Sequence, residues 1–290
     1  MFFQVLLNGL ALGSVYALIA TGFSVIFNVL KFSNFAHGAT MAFCAFAGYY
    51  VAASRGWGLV PTIIVAVVMG ILVALVAEFI AFRRITLRKT VPIYYFVSSI
   101  TMGSILEGII TVKVGANFIN YPRFFKQSVI NLGQFVISKS DLIMFVISSL
   151  ALALLMLIIY KTRMGRALRA VSFDRDTAGL MGINVTRVIQ YTFVISGAMA
   201  GLAGVFLGIN YTLYPTLGSL VVKGFIASVI GGLGSLFGAI IGAFLLGFLE
   251  TILLYFVGSG YSPIFIFVIM LVFLLIRPRG IAGSNIQEKA

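Results

Sequence analysis

The chain has 290 residues, 61% of them hydrophobic and only 9% charged, with a mean hydropathy of +1.13. Soluble domains carry roughly 25% charged residues, so a soluble globular fold is excluded. The net charge of +13, from 20 Lys and Arg against 7 Asp and Glu, reads in so apolar a chain as loop topology; nucleic acid is not an expected partner.

Apolar runs of roughly 20 residues that satisfy their own backbone as helices are what a bilayer selects. In chain order they fall at 4–27, 36–53, 61–82, 92–111, 141–160, 187–208, 236–256 and 261–276. A further run at 213–232 contains Pro215, Gly218 and Lys223, and reads as a tilted span, a broken helix or a re-entrant segment. The expected fold is all-α: a polytopic helical membrane protein with eight or nine transmembrane helices, in a single domain over 1–290. No basic stretch precedes the first run, so a retained span is expected rather than a cleaved signal.

Lys and Arg near span ends mark the cytoplasmic side. They gather in three places: at Arg83, Arg84, Arg88 and Lys89; at Lys161, Arg163, Arg166, Arg169, Arg175 and Arg187; and at Arg277, Arg279 and Lys289. Arg55, Lys113, Arg123, Lys126 and Lys139 fall on the other side, the last four around an outer loop at 112–140. Alternation then gives nine spans with the N-terminus outside and the C-terminus inside, provided that 213–232 crosses.

Glycines recur at spacing four: Gly9 with Gly13, Gly197 with Gly201, Gly204 with Gly208, and Gly234, Gly238, Gly242. That spacing sets small residues on one helix face, for close packing or for lining a solute path.

An enzyme is not expected. With one histidine, His37, and one cysteine, Cys44, neither a metal cluster nor an intrachain disulfide can form, and no G-x-x-x-x-G-K-[ST] run offers a nucleotide site. The chain is expected to bind no cofactor. Titratable candidates for a substrate pathway inside the spans are His37, Glu107, Lys223 and Glu250; Glu78, beside Arg83, reads as interfacial. Glu107 is either a solvated carboxylate near a span end or a pathway residue, and Glu250 either pairs with a tyrosine or Lys223 or lines the path. In Lys31-Phe-Ser-Asn-Phe-Ala-His37-Gly38, Asn34 is a candidate N-cap for the second span; if that end is sunk into the membrane, it resembles the half-helix termini that transporters aim at anionic groups.

The basic loop TRMGRALRAVSFDRDTAGLMGINVTRV, at 162–188, is the most informative segment. Ser172 or Asp174 is placed to cap a short helix that Gly182 ends, and its apolar Ala178, Leu180 and Met181 need headgroups or a partner protein to cover them.

This loop resembles the cytoplasmic coupling loop of permease subunits in bacterial ABC importers of the branched-chain amino acid type. The likeness extends over essentially the whole chain, through NGLALGSVYALIATGFSVIF, FSNFAHG, SGAMAGLAGVFLG, TLYPTLGSLVVKGFIASVIGGLGSLFGAIIGAFLLG and RPRGIAG, and is closer to the H-type member of the permease pair. The resemblance implies an ABC importer permease fold in the bacterial inner membrane, and a transmembrane subunit for branched-chain or other small hydrophobic amino acids. It implies three kinds of partner: a second, homologous permease, two ATP-binding cassette ATPases that use the ATP, and an extracytoplasmic solute-binding protein facing the outer loop. ATPase coupling carries over to Arg169, Ser172, Asp174, Thr177, Ala178 and Gly182, although Asp176-Thr177-Ala178 stands where the general importer motif has glutamate-alanine-alanine. Lys223 and Asn34 are candidates for meeting a substrate carboxylate. A urea or short-amide permease of the same architecture, and a stand-alone secondary carrier, are the alternatives.

Overall fold

The computed structural model describes residues 2–88, 91–122, 124, 129–132, 135–278 and 280–282. In chain order the helices are α1 (Phe2–Leu30), α2 (Ala36–Arg55), α3 (Leu59–Ala77), α4 (Arg83–Leu87), α5 (Pro92–Val114), α6 (Lys139–Lys161), α7 (Arg163–Phe173), α8 (Arg175–Leu180), α9 (Val185–Asn210), α10 (Val221–Gly231), α11 (Leu236–Phe256) and α12 (Ser262–Ile276). The bundle is helical apart from a short antiparallel hairpin, Val129–Leu132 with Phe135–Ser138, in the stretch expected as the outer loop. Arg123 and Lys126 of that loop, and Lys89, Arg279 and Lys289, lie outside the described residues.

Among the described residues six helices are long and apolar enough to cross a membrane: α1, α3 running on to Leu87, α5, α6, α9 and α11. The α3 span does not end at Glu78. A π-helical turn, Glu78–Phe82, carries it into α4, and Glu78 is buried rather than interfacial. The run expected at 213–232 is a 3-10 turn, Pro215–Leu220, leading into the short α10. Pro92 and Pro215 open their helices at positions where a missing N–H costs nothing.

Helix α1 is enclosed by α11, α9, α10 and α6, and α9 by α3, α1 and α2. Glycines make these approaches possible, because packing and not hydrophobic transfer holds helices together in lipid. Gly70 and Gly197 each sit where a side chain would meet the other's carbonyl, and Gly201 lies on the backbone of Ala66 and Val67. A Cβ on Gly247 would come within 2.5 Å of Gly13, while Gly238 and Gly242 lie against Gly231 and Ala227. The expected helix face of Gly234, Gly238 and Gly242 is corrected at one place: Gly234 is in the α10–α11 turn with φ 89°, a left-handed conformation that needs glycine.

The start of α2 is sunk. Its Phe35 N–H reaches Ser99 Oγ (3.4 Å), a Cβ on Gly103 would lie 3.7 Å from Ala36, and one on Gly22 would strike the His37 ring. Gly22 precedes the end of α1 by eight residues, so α2 begins about 12 Å inside the bundle relative to that end. Gly38 touches Gly218 of the 3-10 turn, so two helix starts meet at this depth. Nearby extended backbone is paired rather than exposed: Ile119 and Leu213 exchange both hydrogen bonds, at 2.9 and 2.7 Å.

Candidate functional site

At the basic end of the bundle the loop at 162–188 folds as two helices rather than one. Thr162 caps α7 by accepting from the Gly165 N–H (3.1 Å). Asp174 caps α8: its Oδ1 accepts from the N–H groups of Asp176 (2.9 Å) and Thr177 (3.0 Å), and its Oδ2 from the Thr177 hydroxyl (2.8 Å). Ser172 is not the cap; its hydroxyl donates to the Arg169 carbonyl inside α7. The bonds from Thr177 hold the Asp174 carboxyl below the usual carboxylate range. The cap is thus fully present above the ordinary aspartate pKa and is lost as pH falls through the lowered one. At the other end Gly182 has φ 82°, its N–H donates to Gly179 and that of Ile183 to Ala178, a Schellman ending.

The cap pair fixes which apolar residues face out. Ala178, expected on the docking surface, is buried in the protein's own core at 5% exposure, and its carbonyl accepts from the Ile183 N–H. Phe173, Leu180 and Met181 are the ones left bare, at 85%, 89% and 79% exposure.

Two arginines tie this unit to the spans. Arg169 donates from its guanidinium to the Ile159 carbonyl near the end of α6 and lies over the Tyr160 ring at 5.5 Å. Arg175, which sequence reasoning counted only as a loop cation, donates from both Nε (3.1 Å) and Nη2 (2.6 Å) to the Val29 carbonyl in the last turn of α1. The carbonyls of a helix's last turn have no intrahelical partner and carry its negative dipole end, so an arginine fork is well matched to them. Lys31 ends α1 with φ 57°; partial burial, and then the nearby Arg175 charge, hold its ammonium below the ordinary lysine range. Both line a cavity of 560 Å³ under α8, between the ends of α1, α4 and α9.

Of the candidates inside the spans, Lys223 and Glu250 come together and the others do not join them. Lys223 Nζ lies 2.5 Å from Glu250 Oε1 and 3.0 Å from the Tyr16 hydroxyl, which donates to Glu250 Oε2 at 2.8 Å and meets the Tyr211 hydroxyl at 3.5 Å. Glu250 therefore pairs with both a tyrosine and Lys223, and the Lys223 ammonium is already occupied. Tyr16 was the missed member. A tyrosine in the middle of an apolar run was its signal, since a buried hydroxyl needs a partner.

His37 Nδ1 pairs with Ser196 Oγ at 3.0 Å, joining α2 to α9. Asn34 is not the N-cap of α2. The cap residue is Phe35 and no side chain caps it, because the chain enters α2 already in a helical conformation at Phe35 and only the Asn34 main-chain carbonyl faces the His37 N–H. The Asn34 side chain is buried, and its Oδ1 and the His37 Nε2 have no hydrogen-bond partner among the described residues. Glu107 stands apart on α5, lining a 210 Å³ cavity between α2, α5 and the 3-10 turn.

Residues 5–274 match the family described as branched-chain amino acid transport system, permease component. The chain belongs to this family. It is 33% identical to the high-affinity branched-chain amino acid transport system permease protein LivH of Escherichia coli, over 99% of this chain and 97% of that one. Identity to the permease protein BraD of Pseudomonas aeruginosa is 32%, over 99% and 98%. Among solved structures it resembles PsaBC from Streptococcus pneumoniae in complex with Fab, with a TM-score of 0.52 and 17% identity over 93% of this chain and 89% of that chain, a likeness of fold. The permease is thus a membrane transport subunit rather than an enzyme.

Proposed function

We propose that this permease is the transmembrane subunit of an ATP-driven importer of branched-chain amino acids, and that α8 docks on a separate ATPase. The observation that carries the docking reading is the bare apolar trio Phe173, Leu180 and Met181, which flanks α8 from the end of α7 to the α8 C-cap, with α8 capped at both ends and the unit braced by Arg169 and Arg175. A six-residue helix does not hold such a shape alone; this one is preformed, so a partner meets it without paying for its ordering. A stand-alone carrier has no use for the trio, and the named relatives favour amino acids over urea or amides. The partners implied are two ATPases, a homologous second permease and an extracytoplasmic binding protein.

The test is assembly. Leu180→Asp with Met181→Asp is expected to cut the ATPase recovered with the tagged permease at least tenfold, since charges replace apolar anchors of the docking face. Unchanged recovery of the ATPases, at unchanged permease yield, defeats the docking reading.

We further propose nine passes, the six long helices together with α2, α10 with its 3-10 turn, and α12, with the N-terminus outside, the C-terminus inside and the basic end cytoplasmic; the six helices long and apolar enough to cross support this reading. The 3-10 turn and α10 together cover Pro215–Gly231 and return toward the basic end, where Gly234 lies beside Asn28 near the end of α1. Because the single cysteine, Cys44, is buried, an introduced cysteine is the reactive one. A thiol reagent that does not cross membranes should label Gly260→Cys in intact cells and reach Leu233→Cys, an exposed position in the same turn as Gly234, only after permeabilisation. The reverse order overturns this topology.

A further inference from the structure

Glu107 sits seven residues before the end of α5, about 10 Å inside the span. Its carboxylate has no hydrogen-bond or ion-pair partner among the described residues, in contrast to Glu250. On the same helix, the exposed polar residues Thr101, Ser104 and Thr111 fall at helical spacing with it, on an element whose other exposed residues, such as Ile100, Ile105 and Ile109, are apolar. The Thr101 and Thr111 hydroxyls donate to carbonyls of their own helix, which leaves the Glu107 carboxylate as the group inside the span that calls for a function.

Ser104 and Glu107 of this stripe line the 210 Å³ cavity. Phe35, Ile100 and Val222 give it apolar lining, and Ser104 and Ser219 add hydroxyls to the lining that includes Glu107. The cavity lies where the sunken start of α2 meets the 3-10 turn, so it is framed by backbone that cannot be lined by lipid.

We propose that this cavity is a transient site for the amino-acid substrate, with the Glu107 carboxylate taking the α-ammonium and Phe35, Ile100 and Val222 taking the branched apolar side chain. A cation balances a carboxylate with no partner, and a zwitterionic substrate brings one together with apolar surface that suits the apolar lining. Ser104 and Ser219 give the ammonium further acceptors. This rests on the amino-acid importer reading above and adds the residue that meets the substrate.

Radiolabelled leucine uptake and ATP hydrolysis are measured together in proteoliposomes that hold the complete importer with its binding protein. Glu107→Gln is expected to lower leucine uptake per ATP hydrolysed at least tenfold, the loss of a charge-assisted hydrogen bond, and Glu107→Asp to restore most of it. Hydrolysis stimulated by loaded binding protein should stay within about twofold. Undiminished uptake in Glu107→Gln overturns the proposal, as does loss of the second permease from the purified complex, which would make Glu107 a subunit contact. Wild-type uptake without ATP dependence would instead overturn the importer reading itself.

Discussion

Lys223→Met is expected to lower the stability of the purified permease by about 3–5 kcal/mol, the cost of leaving a buried carboxylate without its counter-charge. Glu250 is 7% exposed at its side chain and Lys223 19%, so solvent screens this pair little. The Tyr16 hydroxyl cannot substitute, because it already donates to Glu250 and accepts from Lys223. The matching change Glu250→Leu strands the ammonium and should cost a similar amount. Lys223→Met combined with Glu250→Leu removes both charges together and should recover most of the loss, since well-packed apolar residues replace buried ion pairs at little or no cost. Thermal unfolding in detergent across the four proteins of this cycle gives the coupling. If the double variant also regains uptake, the cluster is a brace between α1, α10 and α11. Full stability with lost uptake in Lys223→Met would instead place the lysine on the substrate path.

Arg175→Ala is expected to leave the ATPases bound and to reduce uptake per ATP hydrolysed about tenfold. The proposed docking anchors Leu180 and Met181 are the last residue and the C-cap of α8, and the fork of Arg175 joins the first residue of that helix to the Val29 carbonyl at the end of α1. Helix α1 runs without a break from that carbonyl to Tyr16, about 20 Å along the axis, where it meets Glu250 and Lys223. A pull on α8 therefore reaches the polar cluster through one rigid element. A fork bond from a charged donor is worth about 1.5–3 kcal/mol, which sets the size of the effect. Arg175→Lys keeps the charge and one donor but loses the planar fork, so an intermediate value is expected. Parallel measurement of co-purified ATPase, hydrolysis and uptake checks this. Loss of the ATPases together with uptake would mean that Arg175 only shapes the docking face.

Much of the basic loop was legible because its signals are local. An N-cap residue type, read as Ser172 or Asp174, and a glycine eight residues after Asp174 state a helix's two ends without any tertiary partner; Asp174 is the cap that forms and Gly182 ends the helix, while Ser172 lies inside the preceding one. Ala178 was not legible in this way. Its burial is a tertiary contact with the core, and composition cannot distinguish an apolar residue facing a partner from one facing its own bundle. Asn34 failed for the opposite reason. It has the residue type of a cap, but the chain adopts helical dihedrals one residue later with no side-chain bond, leaving Asn34 buried.

The sequence by itself determined that this is a helical membrane protein, where most of its long spans lie, and which segment forms the capped helix at the basic end. Those properties follow from hydropathy over about 20 residues and from residue types within one turn, both short-range. Only the tertiary structure decided that Tyr16 completes the Lys223–Glu250 pair, that Arg175 holds the end of α1, and that α2 starts inside the bundle beside Gly218. These contacts join residues up to 234 positions apart. They exist because glycines let helices approach until side-chain ends can meet, a geometry that no stretch of neighbouring residues encodes.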